Sequence, residues 1–161
     1  MKKQLASASR NPKRFPAYRN AKLPSARRVK DLLSRMSLEE KAAQMVCIWR
    51  EKANTLVDED GKFDYSKAKA AFVRGHGLGQ VGPAMRVAAK NAREMAQLTN
   101  AIQKFFVEES RLGIPVILHE ECLHGHAAVD GTSFPQPIAL AATSKPELVE
   151  SLFSMTAREA A

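Results

Sequence analysis

The chain has 161 residues, 45% apolar and 26% charged, enough to bury one core and unlike the composition of a disordered polymer. Its net charge of +8 sits at one end: residues 1–30 hold ten Lys and Arg and no acid, while residues 31–161 hold fifteen bases and seventeen acids. A near-neutral body without a recognised basic module argues against nucleic acid as partner, no run is long enough to span a membrane, and two cysteines without CxxC spacing argue against a disulfide framework or a zinc site.

Residues 1–25, with Pro12, Pro16 and Pro24 among basic and small residues, read as an extended basic lead-in, and residues 26–161 as the folded part. No apolar signal segment follows Met1-Lys2-Lys3, so the expected location is cytoplasmic. Val29, Leu32, Leu33 and Met36 recur at helical spacing and predict a helix over 26–36. Ser37-Leu38-Glu39-Glu40 is a capping box that opens a second short helix. Met45 to Trp49 is an apolar run and the expected first strand. Residues 50–63 are polar, with a turn at Asp60-Gly61, and a helix from Asp64 to Arg74 stops at Gly75. Leu78 to Val81 is a short strand between glycines.

An amphipathic helix from Ala92 to Glu109 puts Met95, Leu98, Ile102, Phe105 and Phe106 on one face. The strand Ile114 to Leu118 follows. A loop rich in Gly, Thr, Ser and Pro then leads to a helix opened by Pro146. Alternating strands and helices predict an α/β fold with parallel strands and right-handed crossovers. The last helix, Glu147 to Ala161, has no cap and no strand after it, so the expectation is a chain that stops partway through its sheet.

Gly77-Leu78-Gly79-Gln80-Val81-Gly82 matches GxGxxG in letters but follows a helix, lies across a strand and precedes Pro83. Dinucleotide binding needs the motif after a strand and opening a helix. The reading here is a helix C-cap plus a strand where backbones approach closely.

The stretch with most chemistry is His119-Glu120-Glu121-Cys122-Leu123-His124-Gly125-His126. It ends an apolar strand, where parallel sheets deliver polar groups to a ligand. His119 and His124 are five apart beyond a strand, so they do not converge as the histidines of HExxH do on a helix. A metal held by His119, Cys122 and His124 is therefore the lesser reading, and histidines around a sugar or polar pocket the greater; no metal and no cofactor is expected. Glu120 and Glu121 are neighbours on an extended strand end and point to opposite sides, so they cannot flank one sugar ring as a retaining pair. One of them can accept substrate hydroxyls, leaving the other for a structural ion pair. No serine sits in a G-x-S-x-G elbow.

Arg28 to Lys41, Gly113-Ile114-Pro115-Val116-Ile117 with Glu121-Cys122-Leu123-His124-Gly125, and Thr132 to Thr143 with Phe134-Pro135-Gln136 and Leu140-Ala141-Ala142-Thr143, resemble in order the motifs of family 3 glycoside hydrolases. Pro146 to Val149 and Ala157-Arg158-Glu159 continue the register, so the likeness covers residues 16–161. It implies a partial TIM-type (β/α) barrel, the N-terminal portion only, since a closed barrel takes about 250 residues. It implies an exo-acting retaining β-glycosidase acting on a β-linked oligosaccharide or β-glycoside, with the remainder of the barrel as further partner. Glu121 matches the acidic residue that binds sugar hydroxyls, with His124 beside it in substrate binding and locking the turn. Gly125 permits the bend and Glu120 supports the site. Glu where the glucosidases usually carry Asp tilts the reading towards a β-xyloside over a β-glucoside. The family's aspartate nucleophile and its acid/base have no counterpart in these residues, so no catalytic residue is assigned and the 161 residues alone are expected to be inactive. A non-catalytic carbohydrate-binding remnant and one half of a split enzyme are the alternatives.

Overall fold

A computed structural model describes residues 15–83 and 91–161. The chain divides into two units, residues 1–37 and residues 38–161. In the first, a single 3-10 turn at Ala17–Arg19 precedes helix α1, Ser25–Arg35. Asp31 organises this unit: its carboxylate accepts from the Tyr18 amide at 3.0 Å and from the Arg35 guanidinium at two points, while Arg28 Nε donates to the Tyr18 carbonyl at 2.9 Å. These contacts, Arg35 first, lower the Asp31 pKa.

The second unit runs α2 (Leu38–Ala43), β1 (Cys47–Ile48), α3 (Lys52–Thr55), α4 (Tyr65–Ala71), β2 (Gln80–Val81), α5 (Ala92–Glu109), β3 (Ile117–Leu118), α6 (Pro137–Ala141) and α7 (Pro146–Ala160). The three strands form a parallel sheet in the order β1-β2-β3, with Cys47 opposite Gln80 and Gln80 opposite Ile117. Parallel pairing is what the strand–helix alternation predicts. Among the described residues no helix is long and apolar enough to cross a membrane.

Each strand contributes two residues to the ladder, fewer than the apolar runs suggest, and the reason is visible at β3. The Gln103 side chain from α5 accepts from the Val116 amide at 3.1 Å and donates to its carbonyl at 2.6 Å. Both polar groups of Val116 are thus satisfied by a side chain rather than by a neighbouring strand. The segment read as a polar loop after β1 also contains a helix. α3 carries Lys52, and Leu56 and Val57 just after it are fully buried. The Gly-, Thr-, Ser- and Pro-rich loop likewise contains a helix, α6, for which Pro137 at the first turn supplies a preset φ.

The core lies on one face of the sheet. Ile48, Val81 and Leu118 share a row that packs with Leu98, Ile102, Phe105 and Phe106 of α5. This is the α5 stripe its periodicity predicts, capped at Asn91 by reciprocal hydrogen bonds with Glu94. Phe72 and Phe106 meet edge-on at 4.9 Å, and Phe105 and Phe106 at 5.2 Å. The opposite row of the sheet, Cys47, Gln80 and Ile117, is uncovered: Ile117 is 62% exposed and Cys47 is exposed.

Two contacts at the amino ends of the strands fix the register. Gly79 donates to the Ala43 carbonyl at 2.9 Å, and a Cβ at Gly79 would overlap the Gln44 carbonyl oxygen. This is the close backbone approach read from the glycine-rich stretch. Nearby, Glu40, which the sequence assigns to a capping box, is 3% exposed and takes a two-point ion pair from Arg111 at 2.7 and 2.5 Å.

Gly79→Ala must move β2 off α2, because backbone rather than a flexible side chain occupies the space. A cost of about 3 kcal/mol, at the upper end for overpacking, is expected as a fall in the urea midpoint; an unchanged midpoint would contradict the close approach. Glu40→Gln leaves the arginine without its carboxylate. Because Arg111 is half in water, the expected loss is only about 2 kcal/mol, less than for a fully buried pair. Calorimetric melting of the variant checks this, and an unaltered Tm would refute it.

Candidate functional site

The carboxyl ends of the strands converge on one edge. Trp49 follows β1, Gly82 follows β2 and His119 follows β3. Gly82 fits between two rings: a Cβ there would stand 3.4 Å from Trp49 Cγ and 3.5 Å from His119 Nε2. Lys52, 1% exposed, reaches under this edge and donates from Nζ to the Gly82 carbonyl at 3.1 Å. A lysine so deep needs polar company, and the buried carbonyl just past β2 supplies it. Nothing in the sequence around Lys52 signals its burial.

Beyond β3 the chain enters Glu120 to His126. A cavity of about 670 Å³ opens here, within the usual size of a small-molecule site. Val81 and Leu118 give it an apolar wall, and His119, Glu120, Cys122 and His126 line it. Met95, Ala96 and Thr99 of α5 close one side, and Asp130, Gly131 and Glu159 another. The Nδ1 atom of His119 is buried with no hydrogen-bond partner among the described residues. Cys122 Sγ lies 3.8 Å from His126 Nδ1, and burial, then the charge of Glu120, pushes the thiol pKa up. That environment keeps the thiol protonated and disfavours it as a nucleophile. Among the described residues no three His, Cys, Asp or Glu side chains form a group that could hold a metal.

The residues singled out in the sequence are therefore not gathered in one place. Glu120 lines the large cavity, whereas Glu121 is exposed and is not part of its lining. His124 and Gly125 border a separate small cleft with Phe134, Leu140, Leu152, Phe153 and Thr156. Gly125 has φ +107°, and a Cβ there would overlap the Thr132 carbonyl oxygen, so the bend excludes any side chain. Phe134 donates to the His124 carbonyl at 2.7 Å, and Gly125 bridges to Ser133. Asp130, just past the cluster, and Glu159, from α7, also line the cavity; Glu159 lies in the Ala157-Arg158-Glu159 stretch, but nothing in that pattern assigned it a place at the site. His126 was visible as part of the cluster but carried no spacing that assigned it a role.

Comparison with known proteins places these features in a family context. Residues 37–161 match the glycosyl hydrolase family 3 N terminal domain. The chain is 34% identical over 143 residues to a Formosa agariphila protein provisionally named a β-xylosidase, covering 89% of this chain and 18% of that one. It is 32% identical over 153 residues to β-glucosidase C of Emericella nidulans, covering 90% and 23%. A solved structure described as a novel β-glucosidase from Erythrobacter marinus superposes with a TM-score of 0.69 at 35% identity, covering 89% of this chain and 18% of that one. The chain thus spans about a fifth of the length of these relatives.

The two thiols give a direct check on this geometry. Cys47 lies on the uncovered row, and Cys122 is partly buried with its thiol held up above the usual range. At pH 8 a maleimide should modify Cys47 first, with Cys122 lagging and gaining reactivity as the pH rises towards its raised pKa. Peptide mapping by mass spectrometry reads this out, and equal rates at the two positions would contradict the placement of Cys122.

Proposed function

Because the chain belongs to glycosyl hydrolase family 3, through its N-terminal domain, we propose that it supplies part of a β-glycoside-binding site, with Glu121 as the carboxylate that accepts sugar hydroxyls. The observation that carries this reading is the position of Glu121: it is exposed just beyond β3, an outer strand of the parallel sheet, on the carboxyl side where such sheets bind ligands. A carboxylate accepts two hydroxyl hydrogen bonds and strengthens them as positive charge builds on a sugar ring. His124 stands in the same turn as the second sugar-side residue, while Gly125 makes the bend and Glu120 supports it from the cavity side.

Residues 26–161 are the opening part of a (β/α) barrel in this account, and residues 1–25 lie ahead of it. Support comes from the uncovered row of Cys47, Gln80 and Ile117, since a barrel covers that face with side chains from its other strands. The bearer of this site is an exo-acting retaining β-glycosidase in carbohydrate metabolism, acting on β-xylosides or β-glucosides. Names of both kinds occur among the relatives. The extra methylene of Glu121 over an aspartate leaves less room for a hydroxymethyl group and favours the xyloside. Glu120 and Glu121 cannot flank one ring, and the family's aspartate nucleophile and acid/base have no counterpart in these residues by the resemblance, so the 161 residues by themselves bind without hydrolysing. The same uncovered face suits completion by a second chain, as in a split enzyme.

Titration of the chain with methyl β-xyloside and methyl β-glucoside, beside an assay with an aryl β-xyloside, tests the reading. Binding with a Kd on the order of 1 mM, weakened about tenfold in Glu121→Ala, and no turnover are expected. Equal binding by Glu121→Ala would remove Glu121 from the site, and turnover abolished by that substitution would overturn the inactivity of the isolated chain.

A further inference from the structure

We propose that Glu159, in the last turn of α7, is a positioning residue for the turn that carries Glu121 and His124, which it grips through Thr132. Only the consequence for sugar affinity rests on the function proposed above; the grip itself is geometric.

Both carboxylate oxygens of Glu159 are engaged by one residue. The Thr132 amide donates to Oε2 at 2.9 Å and the Thr132 hydroxyl to Oε1 at 2.6 Å. Thr132 is in turn the residue whose carbonyl faces Gly125 too closely for a Cβ. Ser133 bridges to Gly125 and Phe134 donates to the His124 carbonyl at 2.7 Å, so residues 132–134 lie along His124 and Gly125. Contact therefore passes from α7 through Thr132 to Gly125, four residues beyond Glu121. On the other side of the turn, Gly131 packs so tightly on the His126 carbonyl that a side chain would overlap it. The segment from His126 to Gly131 is too short and too folded on itself to belong to the sheet, and Asp130 has φ +66°. Its placement depends on such side-chain ties.

The position of Glu159 argues for a specific role. The carboxyl end of a helix carries partial negative charge, so a carboxylate in the last turn is disfavoured unless donors compensate it. Here two donors from one residue do so, which makes a charged, oriented contact rather than a loose surface ion. Glu159 is exposed, and its loss leaves the α5 core untouched.

The test uses the whole chain and the variants Glu159→Gln, Thr132→Val and Thr132→Ser. In Glu159→Gln and Thr132→Val the Phe134 amide should exchange with solvent about tenfold faster, with altered His124 and His126 ring resonances, while amides in the middle of α5 exchange as in the parent. Thr132→Ser keeps both donors and should restore the parent behaviour. Affinity for methyl β-xyloside should fall in step with the loosened turn. Unchanged Phe134 exchange in Glu159→Gln, or faster exchange spread equally into α5, would overturn the proposal. So would a loosened turn with undiminished sugar affinity. No sugar binding by the parent chain would instead sink the functional reading, and the exchange data would still decide the grip.

Discussion

Two backbones meet at Gly79 with no space for a Cβ between them, and the placement of the strand ends follows from that contact. The chain beyond α2 can lie against β2 in one register only, since sliding it would put a side chain into the gap or strand the Gly79 amide that Ala43 accepts. With β1 and β2 held, β3 adds alongside β2, and Trp49, Gly82 and His119 emerge together at the other edge. The amino edge of the sheet fixes position, and the carboxyl edge presents chemistry.

Polar groups do much of this holding, each with its partner. Glu40 is drawn under the amino edge by Arg111, Gln103 satisfies both polar atoms of Val116, and Lys52 caps the Gly82 carbonyl. Such pairs add little net stability compared with the aromatic core, because desolvation offsets most of their attraction. Their contribution is directional: an unmet amine or carboxylate in any other arrangement would carry its full burial cost. That is how strands of only two paired residues keep a defined geometry. The turn after β3 extends the same logic, as Gly125 allows the bend and Thr132, held by Glu159, fills it.

Much of this was legible because it rests on local pattern. The period of Met95, Leu98, Ile102, Phe105 and Phe106 gives α5 and its buried face, and strand–helix alternation gives a parallel sheet. The glycine-rich stretch reads as close packing because Pro83 and the preceding helix are wrong for a nucleotide. What stayed hidden depends on distant partners. Lys52 looks like one more surface lysine until Gly82 arrives beside it, thirty residues on. Glu40 fits a capping box equally well until Arg111 takes its carboxylate. In the candidate site, adjacency in sequence separates in space: Glu120 enters the cavity with His119, Cys122 and His126, while Glu121 stays exposed and His124 turns to a different cleft. β3 ends at Leu118, so the two carboxylates part in the irregular chain beyond it, and no sequence rule says which faces the ligand.

The identity of that carboxylate is therefore the point on which the account stands. A crystal structure of the chain grown with methyl β-xyloside tests it most directly. The sugar is expected at the carboxyl edge of the sheet with its hydroxyls hydrogen-bonded to Glu121. Sugar lodged in the cavity against Glu120 and His126, with Glu121 untouched, would contradict it.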